Sequence, residues 1–184
     1  TSPSLSPRWA RRALKATASV RRVPGGDAAL KHSPAAGLWF LERLAEVLSS
    51  IQRSSAVWVA AINGSAMGGG CEVALACDVR IATAGDFAIG QPEIMLGFAP
   101  GGGATQRLTR MLGTRLALRV VLEGRPYSPA EALELGIVDQ VVDVTALMTT
   151  AVGEASRLGS RPKTAIGAAK RAVYESASES LTDG

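Results

Sequence analysis

The sequence predicts an α/β domain, and three observations carry that reading. Short continuous apolar runs, residues 57–62 first among them, have the pattern of strands buried on both faces. Stretches with apolar residues at spacings of three and four alternate with those runs, as amphipathic helices do. Glycine, proline and asparagine punctuate the changes between them. Strands alternating with helices in this way define the α/β class.

The elements follow in order. Residues 36–53 form the first expected helix, with Leu38, Leu41, Leu44, Ala45, Leu48 and Ile51 on its apolar stripe. The strand at 57–62 ends at the turn Asn63-Gly64. A triple glycine then opens a helix over 68–76, and strands are expected at 79–82 and 87–89. A helix over 100–112 is closed by Gly113, and a second over 114–123 is closed by Gly124. Ser128-Pro129-Ala130-Glu131 reads as a capping box with proline at the first helical position, in a helix that stops at Gly136. A strand at 137–142 and helices at 145–158 and 162–176 complete the pattern.

Composition narrows the class. The chain has 184 residues, 47% of them apolar and only 4% aromatic, so its core rests on Ala, Val, Leu and Ile. Two cysteines, Cys71 and Cys77, make no disulfide scaffold. No apolar run approaches the ~18 residues of a membrane span. A reduced, cytoplasmic setting is the expectation. Residues 1–26 hold six basic groups and no acid, which leaves 14 basic against 16 acidic groups in the remaining 158 residues. The basicity therefore belongs to an arm, residues 1–22, and the domain at 23–184 gives no electrostatic case for nucleic acid. The arm is expected to be a disordered basic tail or a start that does not belong to the domain, with a mitochondrial transit segment, which its Ser, Arg and Ala content resembles, as the alternative.

Two constellations carry chemistry. In Asn63-Gly64-Ser65-Ala66-Met67-Gly68-Gly69-Gly70-Cys71-Glu72, a buried strand feeds glycines that open a helix. The first N–H groups of a helix lack partners within it and present partial positive charge. Glycine lets a ligand approach them closely. The phosphate-loop pattern fails here because Gly70 stands where lysine is needed, and the dinucleotide fingerprint fails at Val73. An oxyanion site remains, with Glu72 on the first turn beside it. In Ile89-Gly90-Gln91-Pro92-Glu93-Ile94, Glu93 follows a strand and a proline and faces the apolar Ile94-Met95-Leu96. A carboxyl so placed is expected to have a raised pKa and to serve as a proton donor, with a solvated turn glutamate as the alternative.

Residues 57–142 resemble the enoyl-CoA hydratase/isomerase (crotonase) family, through AAINGSAMGGGCEVALACDVRIAT, FAIGQPEIMLGFAPGGGATQRLTRMLG and SPAEALELGIVDQVV. Weaker likeness runs from about Val23 to Tyr174. The resemblance implies a spiral of ββα units, with C-terminal helices truncated and the domain incomplete at both ends. It implies an acyl-CoA thioester as substrate, no metal and no cofactor, and a homo-oligomer, trimer or hexamer. It puts one oxyanion donor at the Gly69 N–H and matches Glu72 and Glu93 to the two glutamates of the hydratases. Glu72 then activates a water for attack at C3 of a 2-enoyl-CoA, and Glu93 delivers a proton to C2. The residues expected around the substrate are Pro24, Gly26, Asp27, Ala66, Gly68, Pro92 and Gly101.

The second oxyanion donor departs from the pattern. The family places it just before a Gly-Gly/Ala-Asp step, here Val23-Pro24-Gly25-Gly26-Asp27, and the matching position is Pro24, which has no N–H. Either Gly69 acts alone, or the register shifts to Gly25, or the site is broken. The leading expectation is a hydratase or a fragment of one. An isomerase using Glu93 alone, and a non-catalytic binding or assembly subunit, are the alternatives. His32 reads as a loop residue. Cys71 reads as a packed residue, with a helix-start thiolate as the rival, and Cys77 as core. Trp39 and Trp58 read as packing. Lys31, Arg107, Lys163, Lys170 and Arg171 read either as contacts for CoA phosphates or as solvated helix faces.

Overall fold

The computed structural model describes residues 34–176. The basic arm at 1–22, the start of the domain expected at 23, and the residues Pro24, Gly25, Gly26, Asp27, Lys31 and His32 lie outside the described residues.

Helix α1 spans Pro34–Arg53. Its inner side sends Leu48 and Ile51 into the core, with Leu44 packed against them. Two expectations fail here. Leu38 is exposed, and Trp39, read as packing, is 61% exposed. At 3.6 residues per turn, Trp39 lies about 140° around the helix from Leu44, so the face that buries one turns the other outward.

Next come β1 (Val59–Ile62), β2 (Ala66–Met67), α2 (Gly69–Ala76), β3 (Val79–Thr83) and β4 (Ile89–Gly90). A 3-10 turn, Glu93–Leu96, leads to α3, Ala104–Glu123. The chain closes with α4 (Pro129–Glu134), β5 (Gln140–Val142), a 3-10 turn at Val144–Ala146, α5 (Leu147–Gly159) and α6 (Lys163–Glu175).

Two parallel sheets result. One has the order β1-β3-β5, and the other pairs β2 with β4. Strand, strand and helix recur as β1-β2-α2 and β3-β4-α3, each second strand passing to the smaller sheet, which is the spiral of ββα units that the resemblance implies. The central sheet is covered on both faces. Ala60, Ile62 and Ala82 point into the main core, while the alternate residues Ala61 and Ile81 meet Leu147 and Ala151 of α5. Arg80 ties β3 to the approach of β5: its guanidinium donates to Asp139 Oδ1 at 3.0 Å, and its backbone N–H donates to Asp139 Oδ2 at 2.7 Å.

Several boundaries move for local reasons. The helix expected from 100 begins at Ala104, because Gly103 takes a left-handed conformation (φ 96°) as its cap. Gly113 breaks α3 with a non-helical φ of 74°, where two helices were expected. The strand expected at 137–142 shortens to its last three residues. Ile137 and Val138 instead donate to Ala132 O at 2.8 and 3.2 Å, closing the end of α4 around Gly136 (φ 80°). The strand expected at 87–89 is β4, two residues long. The capping box forms: Ser128 Oγ accepts from the Glu131 N–H at 3.2 Å, and Glu131 Oε2 accepts from the Ser128 N–H at 2.8 Å.

Candidate active site

The small sheet aims both constellations at one place. Ala66 pairs with Ile89 and Met67 with Gly90, so the chain leaves both strands together. Gly68 then turns sharply (φ 55°, ψ −124°), its N–H donating to Gly90 O at 2.9 Å, and α2 begins. Few residues but glycine adopt such angles. Space demands glycine as well, since a Cβ on Gly68 would stand 2.8 Å from Glu93 Oε1. Glu93 therefore sits against the turn that opens α2. Pro92, at the cap of the 3-10 turn, lies beside the same Gly68. Among the described residues the Gly69 N–H has no hydrogen-bond partner, as an oxyanion donor requires.

Glu72 is 2% exposed. Its carboxylate does not lie back on its own helix. It reaches the N-terminus of α3, where Oε1 accepts from Gly102 N–H at 2.7 Å and Ala104 N–H at 3.1 Å. That helix end offers both free donors and partial positive charge. Oε2 accepts no hydrogen bond among the described residues, so one oxygen is anchored and the other is not. Leu44 of α1 closes the wall between the two glycine segments, near the Cα of both Gly69 and Gly102, and Leu41 packs on Gly101.

Glu93 is 7% exposed. Burial pushes its carboxyl above the usual range, and the charge of nearby Glu72 pushes it further the same way. The burial and the raised pKa are as the sequence suggested, and the solvated-turn reading fails. Gln91 is the residue the motif reading missed. It is buried, and with its amide turned to satisfy its neighbours it donates to Glu93 Oε2 at 3.0 Å and Oε1 at 3.1 Å. The available signal was a glutamine directly after an apolar strand and two residues before a candidate acid.

Other candidates sort themselves. Burial pushes the Cys71 thiol up to about 12, which removes the thiolate reading. Cys77 is core and donates to Val73 O at 3.4 Å. Trp58 packs against the core as expected, with its indole N–H buried and unpartnered among the described residues. Arg107 and Lys170 are neither solvated nor free for a phosphate. Arg107 donates to Gly102 O and Gln52, and Lys170 is paired with Asp78. Lys163 and Arg171 remain on the surface of α6. Among the described residues no group of three or more His, Cys, Asp or Glu is arranged to hold a metal. No helix among them is long and apolar enough to cross a membrane.

Residues 27–184 match the family model described as enoyl-CoA hydratase/isomerase. The chain belongs to that family. Among its relatives is a short-chain-enoyl-CoA hydratase of Clostridium acetobutylicum, 42% identical over 115 residues, which are 62% of this chain and 44% of the relative. A probable mitochondrial enoyl-CoA hydratase of Dictyostelium discoideum is 44% identical over 68% of this chain and 45% of its own length. Of solved structures, an enoyl-CoA hydratase from Bacillus anthracis superposes with a TM-score of 0.77 at 33% identity, covering 82% of this chain and 58% of that one. A human mitochondrial delta3-delta2-enoyl-CoA isomerase does so with a TM-score of 0.72 at 35% identity, covering 76% and 55%. The chain spans a little under half the length of these curated family members.

Proposed function

We propose that the protein hydrates a 2-enoyl-CoA thioester to the 3-hydroxyacyl-CoA. One observation carries this reading: two buried carboxyls, Glu72 and Glu93, are held beside the glycine turn whose Gly69 N–H is unpartnered among the described residues. The thioester carbonyl accepts from that N–H. Water attacks C3 and gives a proton to Oε2 of Glu72. The electron pair of the double bond moves toward C2, the thioester oxygen gathers negative charge, and Glu93 delivers its proton to C2. One water is added, and exchange with solvent resets both carboxyls. The anchoring of Glu72 Oε1 by two amides fits a base that must stay fixed. The raised pKa of Glu93 fits an acid that holds its proton until needed. Gly25 is the proposed second oxyanion donor, and Gly26, Asp27, Ala66, Gly68, Pro92 and Gly101 are the proposed surroundings of the substrate.

Isomerisation of a 3-enoyl-CoA is the second reading. It is favoured by a single feature: Glu93 has both the burial and the raised pKa that shuttling one proton between carbons requires. Acyl-CoA is the proposed ligand, with no metal or redox cofactor, and a homo-oligomer in the cytoplasm is the proposed setting.

The test is hydration of crotonyl-CoA. Glu72→Gln and Glu93→Gln should each lower kcat by roughly 10²–10⁴. An unchanged rate in Glu72→Gln overturns hydration by this pair. Isomerisation that survives Glu72→Gln and not Glu93→Gln establishes the second reading. A wild-type chain that binds no acyl-CoA leaves the non-catalytic subunit.

A further inference from the structure

Arg107 occupies an expensive position. It lies one turn into α3, only 8% exposed, and its Nε has no hydrogen-bond partner among the described residues. A buried cation is costly unless it is paired or fully bonded. The side chain folds back along its helix, so that Nη1 donates to Gly102 O at 2.7 Å and Nη2 to Gln52 Oε1 on α1 at 3.0 Å. Gly103 makes room for this, since a Cβ there would meet Nη1. The peptide unit on the other side of Gly102 carries the N–H that donates to Glu72 at 2.7 Å.

Gly101-Gly102-Gly103 has no side chain to restrain it, and glycine peptides rotate freely. Gly102 is held at two points: its N–H by Glu72 Oε1 and its C=O by Arg107. The guanidinium fixes the loop that presents the two amides, and it lies near enough to the carboxylate those amides hold for the charge of Glu72 to act on it. We propose that Arg107 is a positioning residue for Glu72, acting through Gly102 to keep the carboxylate anchored by one oxygen and open at the other. A merely structural arginine would serve only to dock α1 on α3 through Gln52.

The inference rests on the hydratase reading for its catalytic consequence and not for its geometry, and two measurements separate the pair. The first uses the ¹⁵N-labelled full chain. An amide donating to a carboxylate resonates downfield, so the Gly102 N–H should move upfield in Arg107→Met and in Glu72→Gln, and should stay in place in Gln52→Leu. A Gly102 signal that does not move in Arg107→Met overturns the proposal, as does one that moves equally in Gln52→Leu. If Arg107→Met does not fold, Arg107→Lys replaces it; a lysine keeps the charge and loses the planar fork, and the signal should shift partway. The second is hydration of crotonyl-CoA. Loosening the Gly102 amide that anchors the Glu72 carboxylate should lower kcat about 10- to 100-fold with KM little changed. The double variant Arg107→Met/Glu72→Gln should be no slower than Glu72→Gln alone. Additive losses overturn the positioning role. A wild-type chain that hydrates nothing removes the hydratase reading, and the Gly102 signal still decides what Arg107 does.

Discussion

Replacing Lys170 with methionine should cost the fold about 3–5 kcal/mol, the range found when one partner of a buried ion pair is removed. Lys170 Nζ donates to Ile51 O at 3.1 Å, Ala56 O at 2.9 Å and Asp78 Oδ2 at 2.8 Å, which uses all three of its protons. Asp78 also accepts from Trp58 N–H at 2.8 Å and from the Tyr174 hydroxyl at 3.3 Å. This one cluster thus joins α1, the approach to β1, the start of β3 and α6. Methionine keeps the stem's bulk and removes the charge, taking one donor from each of two carbonyls and leaving Asp78, largely buried, without its cation and held only by Trp58 and Tyr174. For a domain of this size each kcal/mol is worth about 2–4 °C, so Tm should fall by roughly 6–20 °C. Urea denaturation is the better assay: the midpoint should drop with the slope unchanged. Because the damage is an orphaned charge, Asp78→Asn in the same chain should recover part of the loss. A cost below about 1 kcal/mol, the value of an exposed pair, would refute the reasoning and return Lys170 to the surface role that the sequence also allowed.

Other predictions concern the site. Gly68→Ala should destabilise by about 1–3 kcal/mol from backbone strain alone and should lower activity more than stability, because the new methyl meets Glu93 Oε1; equal kcat in the variant would contradict this. Glu93 has a raised folded pKa, so its protonation favours the fold: the stability it contributes is present below the ordinary glutamate range and is lost as pH rises through the raised value. The stability of Glu93→Gln relative to wild type should therefore grow as pH rises from about 4 to 8, measured by urea midpoints, and a gap that shrinks would contradict the assignment. Cys71, pushed to about 12, should have roughly one thiolate in ten thousand at pH 8. Iodoacetamide should leave Cys71 unmodified in the native chain and label it in urea, and rapid native labelling would contradict its burial.

The parts of the fold legible in the sequence are those fixed by neighbours along the chain. The capping box at Ser128 needs only residues three apart. The glycine turn at Gly68–Gly69 and the apolar run before it are local too, and so are the places of Glu72 and Glu93, one after each small strand. The stripe of α1 is legible from Leu41 to Ile51. It fails at Leu38 and Trp39, because apolar character does not say which side of the helix meets the core. Strand β2 has two residues and no alternation to show, so nothing in the sequence marks it as a strand. Arg107 and Lys170 were ambiguous for a different reason. Their partners lie across the fold, at Gln52 and at Asp78, and a basic residue in a helix looks alike whether it meets solvent or a buried acceptor. The direction of Glu72 was hidden likewise: its place on α2 is local, and the helix end it caps is contributed by α3, some thirty residues later.

The most direct test of the central claim is a crystal structure of the full chain with an unreactive acyl-CoA analogue bound. The thioester oxygen should lie about 2.7–3.1 Å from the Gly69 nitrogen, with C2 beside the Glu93 carboxyl and C3 facing Oε2 of Glu72. A thioester bound elsewhere, or one whose oxygen takes no hydrogen bond from Gly69, would contradict the account.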